Sequence, residues 1–332
     1  MISNSKVFKE VENFISSDFS AHENIILDFQ YCKIDKQAIS NLSSSISQCK
    51  NLSVLILHLQ CKNLNEQSLR EIVTSFSNCK KLQTLELYIS QNNFKDIEAT
   101  CLGSGLGNCT NLQNLKLQLF QNQIKAQGIQ GFIVPLVNIK SLQSLFLVLD
   151  QNKIGDEGIS ILSQNLVNFE NLKDLTLNLY QIEIQEKGAS ALGQGLENCK
   201  NLEALSVSLY TNNIRKQGIS NLSSSLANCL KLKYLLLNLG ANSIQNAGAI
   251  ALFINLAKSK SLQNLILALY NNNINDYALI ELLPAFASFK NLRTVSVSFG
   301  QDDFSLRGSE INFKNALKKI KKLVQLKTSF SF

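Results

Sequence analysis

Two prolines and two histidines are all that this 332-residue chain holds of either type, and charged side chains make up only 17%. Pro135 and Pro284 stand far apart, so no proline-rich linker marks a domain boundary. His22 and His58 have no neighbours at spacings that would complete a catalytic triad or a metal set. The eight cysteines include no C-x-x-C, which removes the commonest zinc signature. No apolar run reaches the length of about 18 residues that would suggest a membrane span. Met1 to Ser20 alternates polar and apolar residues and lacks the apolar stretch of a signal peptide. There is no Walker sequence. Gly103, Gly105 and Gly107 alternate as in a phosphate loop, but their register places them inside a helix. These absences lead to the expectation of a cytoplasmic chain that is not an enzyme, with no cofactor, no metal and no membrane insertion.

Charge of one sign is also scarce over most of the length. The formal net charge is +7, and nearly all of it lies at one end. From Arg307 onward come Lys314, Lys318, Lys319, Lys321, Lys322 and Lys327 against Glu310 alone. A basic surface for nucleic acid along the whole molecule is therefore not expected. The lysines Lys318, Lys319, Lys321 and Lys322 read as a solvated helix face that could also dock an acidic partner.

What the chain has in quantity is hydrophobic residues, 45% of the total, in strict order. Leucines recur every 30 residues from Leu52 through Leu82 and Leu112 to Leu292. Three residues after each stands a second column, Leu55 through Leu265 and then Val295. A third runs from Leu57 to Val297, and a fourth from Leu59 to Phe299. Alternation with period two is the pattern of a strand with one buried face. Ile25, Leu27 and Phe29 extend it backward, and Leu326, Thr328 and Phe330 extend it forward after a slip of one residue. A polar turn follows each strand, then segments with helical spacing such as Ile129, Phe132, Ile133 and Leu136. Asparagines at 78, 108, 138, 168, 198 and 228 mark the helix ends, where a left-handed residue is expected. Glycines at 128, 158, 188, 218, 248 and 308 are expected to let neighbouring helices approach closely.

Together the columns resemble the leucine-rich repeats, and among them the ribonuclease-inhibitor-like class with a full helix in each unit. The family run L-x-x-L-x-L-x-x-N is here L-x-x-L-x-L-x-L-x-x-N, as in Leu112, Leu115, Leu117, Leu119 and Asn122, so the strand is longer or bulged. The resemblance implies an α/β solenoid with a parallel sheet on the concave side and helices on the convex side. Strands lie about 4.8 Å apart and helices about 8–10 Å apart, so such a stack curves into a horseshoe. The expected organisation is one domain over 1–332. It has a capping helix in 1–21 (Val7, Val11, Phe14, Ile15), about ten repeats over 22–322, and a terminal strand over 323–332.

The asparagine column at 92, 122, 152, 212, 242 and 272 serves turn hydrogen bonds better than a ligand row. Cys32, Lys62, Ile182 and Asp302 interrupt it, and those turns are expected to be looser. Cys49, Cys79, Cys109, Cys199 and Cys229 share a register that Ile139, Phe169, Ser259 and Phe289 fill elsewhere. That marks a buried packing site, and no disulfides are expected.

A curved, preformed surface of this class implies a non-catalytic scaffold for a protein partner. The alternatives are an architectural subunit of a large assembly and a regulator of a small GTPase. Ran GTPase-activating proteins resemble this chain in repeat class, but they carry an acidic tail where this chain has lysines. Side chains alternating with the buried leucines face the concave side, and those columns hold Tyr88, Phe120, Phe146, Tyr180, Tyr210 and Tyr270. Few charges accompany them. Aromatics with little charge are the composition of interface centres, so these six are the candidate partner-binding residues.

Overall fold

The computed structural model describes residues 5–30, 32, 34–60, 64–299, 315 and 325–329. The chain divides into two compact units, Met1–Lys153 and Ile154–Phe332. The first contains β1 (Lys6–Phe8), α1 (Val11–Ile15), β2 (Asn24–Asp28), α2 (Lys36–Gln48), β3 (Val54–His58), α3 (Glu66–Asn78), β4 (Thr84–Tyr88), α4 (Asp96–Leu106), β5 (Asn114–Gln118), α5 (Ala126–Leu136) and β6 (Ser144–Val148). The second contains α6 (Gly155–Leu166), β7 (Asp174–Asn178), α7 (Glu186–Glu197), β8 (Ala204–Ser208), α8 (Arg215–Ala227), β9 (Tyr234–Asn238), α9 (Gln245–Leu256), β10 (Asn264–Ala268), α10 (Asp276–Ser288), β11 (Thr294–Ser298) and β12 (Gln325–Ser329).

Within each unit, consecutive strands pair in parallel, and the leucine columns set the register. Leu55 lies opposite Leu85, Leu85 opposite Leu115, and Leu115 opposite Leu145. In the second unit Leu175, Leu205, Leu235, Leu265 and Val295 form a row of their own. Leu326 then stands opposite Val295, which is the one-residue slip expected from sequence. The fourth column lengthens the strand and does not bulge it. Leu119 N–H donates to the Val148 carbonyl at 2.8 Å, and Gln121 N–H to Asp150 at 3.0 Å, so the ladder runs on past the strand ends.

Leucines of all four columns are buried, as are the helix residues that face them, Ile129, Phe132, Ile219 and Leu222 among others. Each such side chain contributes about 1.5–3 kcal/mol of burial, and each touches residues of its own and adjacent repeats. Gly188 shows how close the helices come, since a Cβ there would stand 2.4 Å from Asp156 Oδ1 and 3.1 Å from its Cα. The seven described cysteines are free, and all but Cys32 are buried. The Cys79 thiol donates to the Ile46 carbonyl of the preceding helix at 3.2 Å. Burial pushes the thiols of Cys49, Cys109 and Cys229 up to about 12.

The asparagine column is a hydrogen-bond ladder. Asn272 Nδ2 donates to the carbonyls of Leu239 and Leu269 at 2.9 and 2.8 Å, and its Oδ1 accepts from Asn242 and Ile244 N–H at 2.9 and 3.2 Å. Where the column is broken, Ile182 fills its slot fully buried, and the Cys32 thiol donates to the Lys9 carbonyl at 3.3 Å. Lys62 and Asp302 lie outside the described residues, as does Gly308.

Two expectations need correction. The amino-terminal segment is not a single helix: Val7 is an exposed residue of β1, which adds a strand beside β2. Among the described residues of the segment, Val11–Ile15 is α-helical, with Val11 and Phe14 buried, and Phe19–Ala21 forms a 3-10 turn. Nor do the asparagines at helix ends turn left-handed. Asn198 and Asn228 have φ of −87° and −88°. The Asn198 side chain instead donates to the Gln194 carbonyl at 2.9 Å, satisfying one of the carbonyls that a helix terminus leaves open. One recurrent set of left-handed residues lies after the strands, at Gln91, Gln121, Gln151, Gln181, Thr211, Ala241 and Asn271, with φ between 51° and 60°. Each precedes a residue of the asparagine column, whose side chain holds the turn where that residue is Asn.

Candidate functional site

Alternation along each strand puts every second side chain on the face opposite the helices, and most of these residues are part-exposed where their neighbours are buried, Val148 being a buried exception. In the first unit they form a mixed aromatic and charged cluster. His58 stacks on Tyr88 with ring centroids 4.1 Å apart and planes 9° from parallel. The Lys116 ammonium sits between two rings, 5.0 Å from the centroid of Tyr88 and 5.2 Å from that of Phe146. Glu86 completes the group, accepting from the Tyr88 hydroxyl at 2.7 Å and facing Lys116 at 3.4 Å.

These contacts set the protonation states. Burial holds the His58 imidazole below its ordinary value, with Lys116 adding to that while Asp28 and Glu86 oppose it. For Lys116, burial is outweighed by the Tyr88 hydroxyl and by Glu86, and its pKa rises. Burial raises the Tyr88 phenol as well. Lys116 is thus a cation held in place by its own chain.

The second unit has a different surface. Tyr180 and Tyr210 stack with centroids 5.2 Å apart and planes 15° from parallel. Tyr270 comes from two strands beyond Tyr210, yet its ring centroid is only 5.5 Å away. Gly240, two residues past the end of β9 between them, makes this possible. A Cβ at residue 240 would lie 2.3 Å from Tyr270 Cε2, so the ring occupies the space a side chain would fill. The Tyr270 hydroxyl donates to Asn238 Oδ1 at 3.1 Å, which fixes the lean of the ring. Around the stack stand Ser206, Ser208 and Asn178, with Leu236 and Ile266 as apolar members.

The sequence-derived residues therefore fall into two groups. Tyr180, Tyr210 and Tyr270 form one ring cluster, with Tyr180 and Tyr210 stacked and Tyr270 tilted 55° to Tyr210, while Tyr88 and Phe146 are linked through Lys116. Phe120 makes no ring contact among the described residues. The basic residues Lys318, Lys319, Lys321 and Lys322 lie outside the described residues. One residue escaped the sequence reading: Tyr234, at the first position of β9, is part-exposed on the same face. Extending the outward-facing period-two column one step back from Leu236 would have found it.

The described residues hold no group of three or more His, Cys, Asp or Glu side chains placed to bind a metal. Ser17 Oγ lies 2.7 Å from His22 Nε2, but its single proton goes to the Phe14 carbonyl at 2.6 Å. His22 must then donate to the hydroxyl, the reverse of what a general base would do. The imidazole is buried between Phe8 and Phe14. No described helix is long and apolar enough to cross a membrane.

Parallel strands in register, helices α1 to α10 alternating with them and an asparagine ladder closing the turns define a leucine-rich-repeat solenoid of the α/β class. No family model and no curated protein matches the chain. Among solved structures it is similar to a chain of the Rad7 and Elc1 complex of yeast. The identity is 17% and the TM-score 0.53, over 90% of this chain and 76% of that one. It is also similar to internalin C2 of Listeria monocytogenes, with 22% identity and a TM-score of 0.42 over 80% of this chain and 84% of the other. At such identities the likeness to the yeast chain speaks to fold alone.

Proposed function

We propose that this chain is a non-catalytic protein-interaction scaffold that binds a partner on the solvent-facing surface of its strands, the side expected to be concave. The observation that carries the reading is the cluster of Tyr180 stacked on Tyr210 with Tyr270 tilted against it, set among neutral hydroxyl and amide side chains. Tyrosine with serine, asparagine and glycine is the composition of antibody-like binding surfaces, where rigid aromatics supply contact area at little entropic cost. Tyr88, Phe146 and Phe120 would extend the contact in the first unit, and the segment with Lys318, Lys319, Lys321 and Lys322 would meet an acidic patch. The similar yeast chain occurs in a two-protein complex, a setting this reading extends to the present chain. Free, buried thiols fit a cytoplasmic location.

Site-specific photocrosslinking tests the proposal. Benzoylphenylalanine at Ser208, beside the tyrosines, should capture the partner, whereas the same group at Gln194 on α7 should not. Capture at Gln194 alone would move the contact to the helices and refute the reading.

A further inference from the structure

The outward ridge of the helices is polar along α6, α7 and α8 and turns apolar at α9 and α10. Ile250 and Ile280 stand where α6, α7 and α8 have Ser160, Ser190 and Ser220. Ile254 and Pro284 stand where those helices have Gln164, Gln194 and Ser224, and Tyr277 replaces a position held by Lys187 and Gln217. Ile254, Tyr277 and Ile280 are 47%, 60% and 62% exposed, while α9 carries no charged residue at all. Large apolar side chains grouped at i, i+3 and i+7 on adjacent helices are not the scattered exposure that any surface shows. Beneath them Phe253 and Phe286 pack with centroids 4.7 Å apart, so the two helices present this ridge as one firm surface.

The charges around the patch are ordered by sign. Asp276 and Glu281 lie in the amino-terminal half of α10, and Lys258 and Lys290 follow the carboxy-terminal ends of α9 and α10. Such a surface is complementary to itself when turned end for end. A two-fold axis across the helices lays apolar ridge on apolar ridge and brings the acidic end of each copy over the lysine end of the other. The helix dipoles of the two copies then run antiparallel, which is also favourable. An isologous contact requires this reciprocity, in which each residue meets a partner that meets it in return.

We propose that the outer face of α9 and α10 is a self-association site, through which two copies of this chain pair antiparallel about Ile250, Ile254, Tyr277 and Ile280. The site is separate from the strand surface, so a dimer carries two partner-binding surfaces.

Sedimentation velocity on the full chain, from about 1 to about 100 μM, covers the range in which a contact below standard interface size associates. The wild type should pass from monomer to dimer. The variant Ile254→Asp, Ile280→Asp should stay monomeric throughout, at least about tenfold weaker, with unchanged circular dichroism and melting because both side chains are exposed. Lys290→Glu should weaken the dimer several-fold by setting like charges against each other. Tyr180→Ala should leave it intact, which keeps this test independent of partner binding. A wild type that is monomeric at every concentration overturns the proposal, as does undiminished dimerisation of the double aspartate variant. A Lys290→Glu protein that associates as tightly as wild type refutes the antiparallel arrangement, and dissociation by Tyr180→Ala relocates the contact to the strands.

Discussion

Replacing Asn272 by alanine probes the ladder that defines the turns. Its amide makes two short donor bonds, to Leu239 and Leu269, and accepts two, from the N–H groups of Asn242 and Ile244. The Leu239 carbonyl keeps a partner, since Asn242 Nδ2 donates to it at 3.0 Å. The two N–H groups have only one proton each and lose the acceptor the side chain gave them. Both Asn242 and Ile244 are fully buried, and an orphaned buried group costs about 1–3 kcal/mol. The expected loss is therefore about 2–6 kcal/mol, a large share of the roughly 5–15 kcal/mol that holds a domain together. Asn246→Ala is the matched control, because its bonds to Asn275 are exposed and should matter by less than about 1 kcal/mol. Urea denaturation of both variants decides the matter. A loss below about 1 kcal/mol in the Asn272 variant would mean that the turn is held by something other than the ladder.

Three further outcomes follow from particular residues. Gly240→Ala should push the Tyr270 ring out of the stack, changing the near-ultraviolet dichroism of a protein without tryptophan, at a stability cost under about 1 kcal/mol; an unchanged spectrum would show that the stack does not depend on the glycine. Thr211 is β-branched at φ 53°, so Thr211→Asn should stabilise by about 0.5–1 kcal/mol in thermal melts, asparagine tolerating this conformation better. Burial lowers the pKa values of both His22 and His58, so the unfolded chain takes up protons first as pH falls. Stability should be fully present above the ordinary value of 6.5 and should decline as pH drops through the lower folded values; NMR titration that placed either ring above 6.5 would reverse the sign.

Much of this fold is legible in the leucines because buried strand residues alternate with period two, a spacing distinct from that of the helices, and the pattern returns every 30 residues. Leu55, Leu57 and Leu59 report the in-facing side of a strand, and their recurrence reports its neighbours. Turn geometry is less legible. Gln91, Thr211 and Ala241 share a left-handed conformation but no side-chain character, since the next residue's amide imposes it. The candidate site was half visible. Alternation placed Tyr180, Tyr210 and Tyr270 on one face, but the contact across Gly240 depends on a ring leaning past an empty position, which no column of letters displays. The cation between Tyr88 and Phe146 was hidden for a similar reason. Lys116 stands on the strand between theirs, and sequence alignment in columns does not say which way a long side chain folds.

Calorimetric titration of the partner into the variant Tyr180→Ala, Tyr210→Ala, Tyr270→Ala bears most directly on the claim that the strand surface is the binding surface. The rings are part-exposed, so melting should change little, while affinity should fall by at least about 2 kcal/mol, roughly thirtyfold. Wild-type affinity in a folded triple variant would contradict the account.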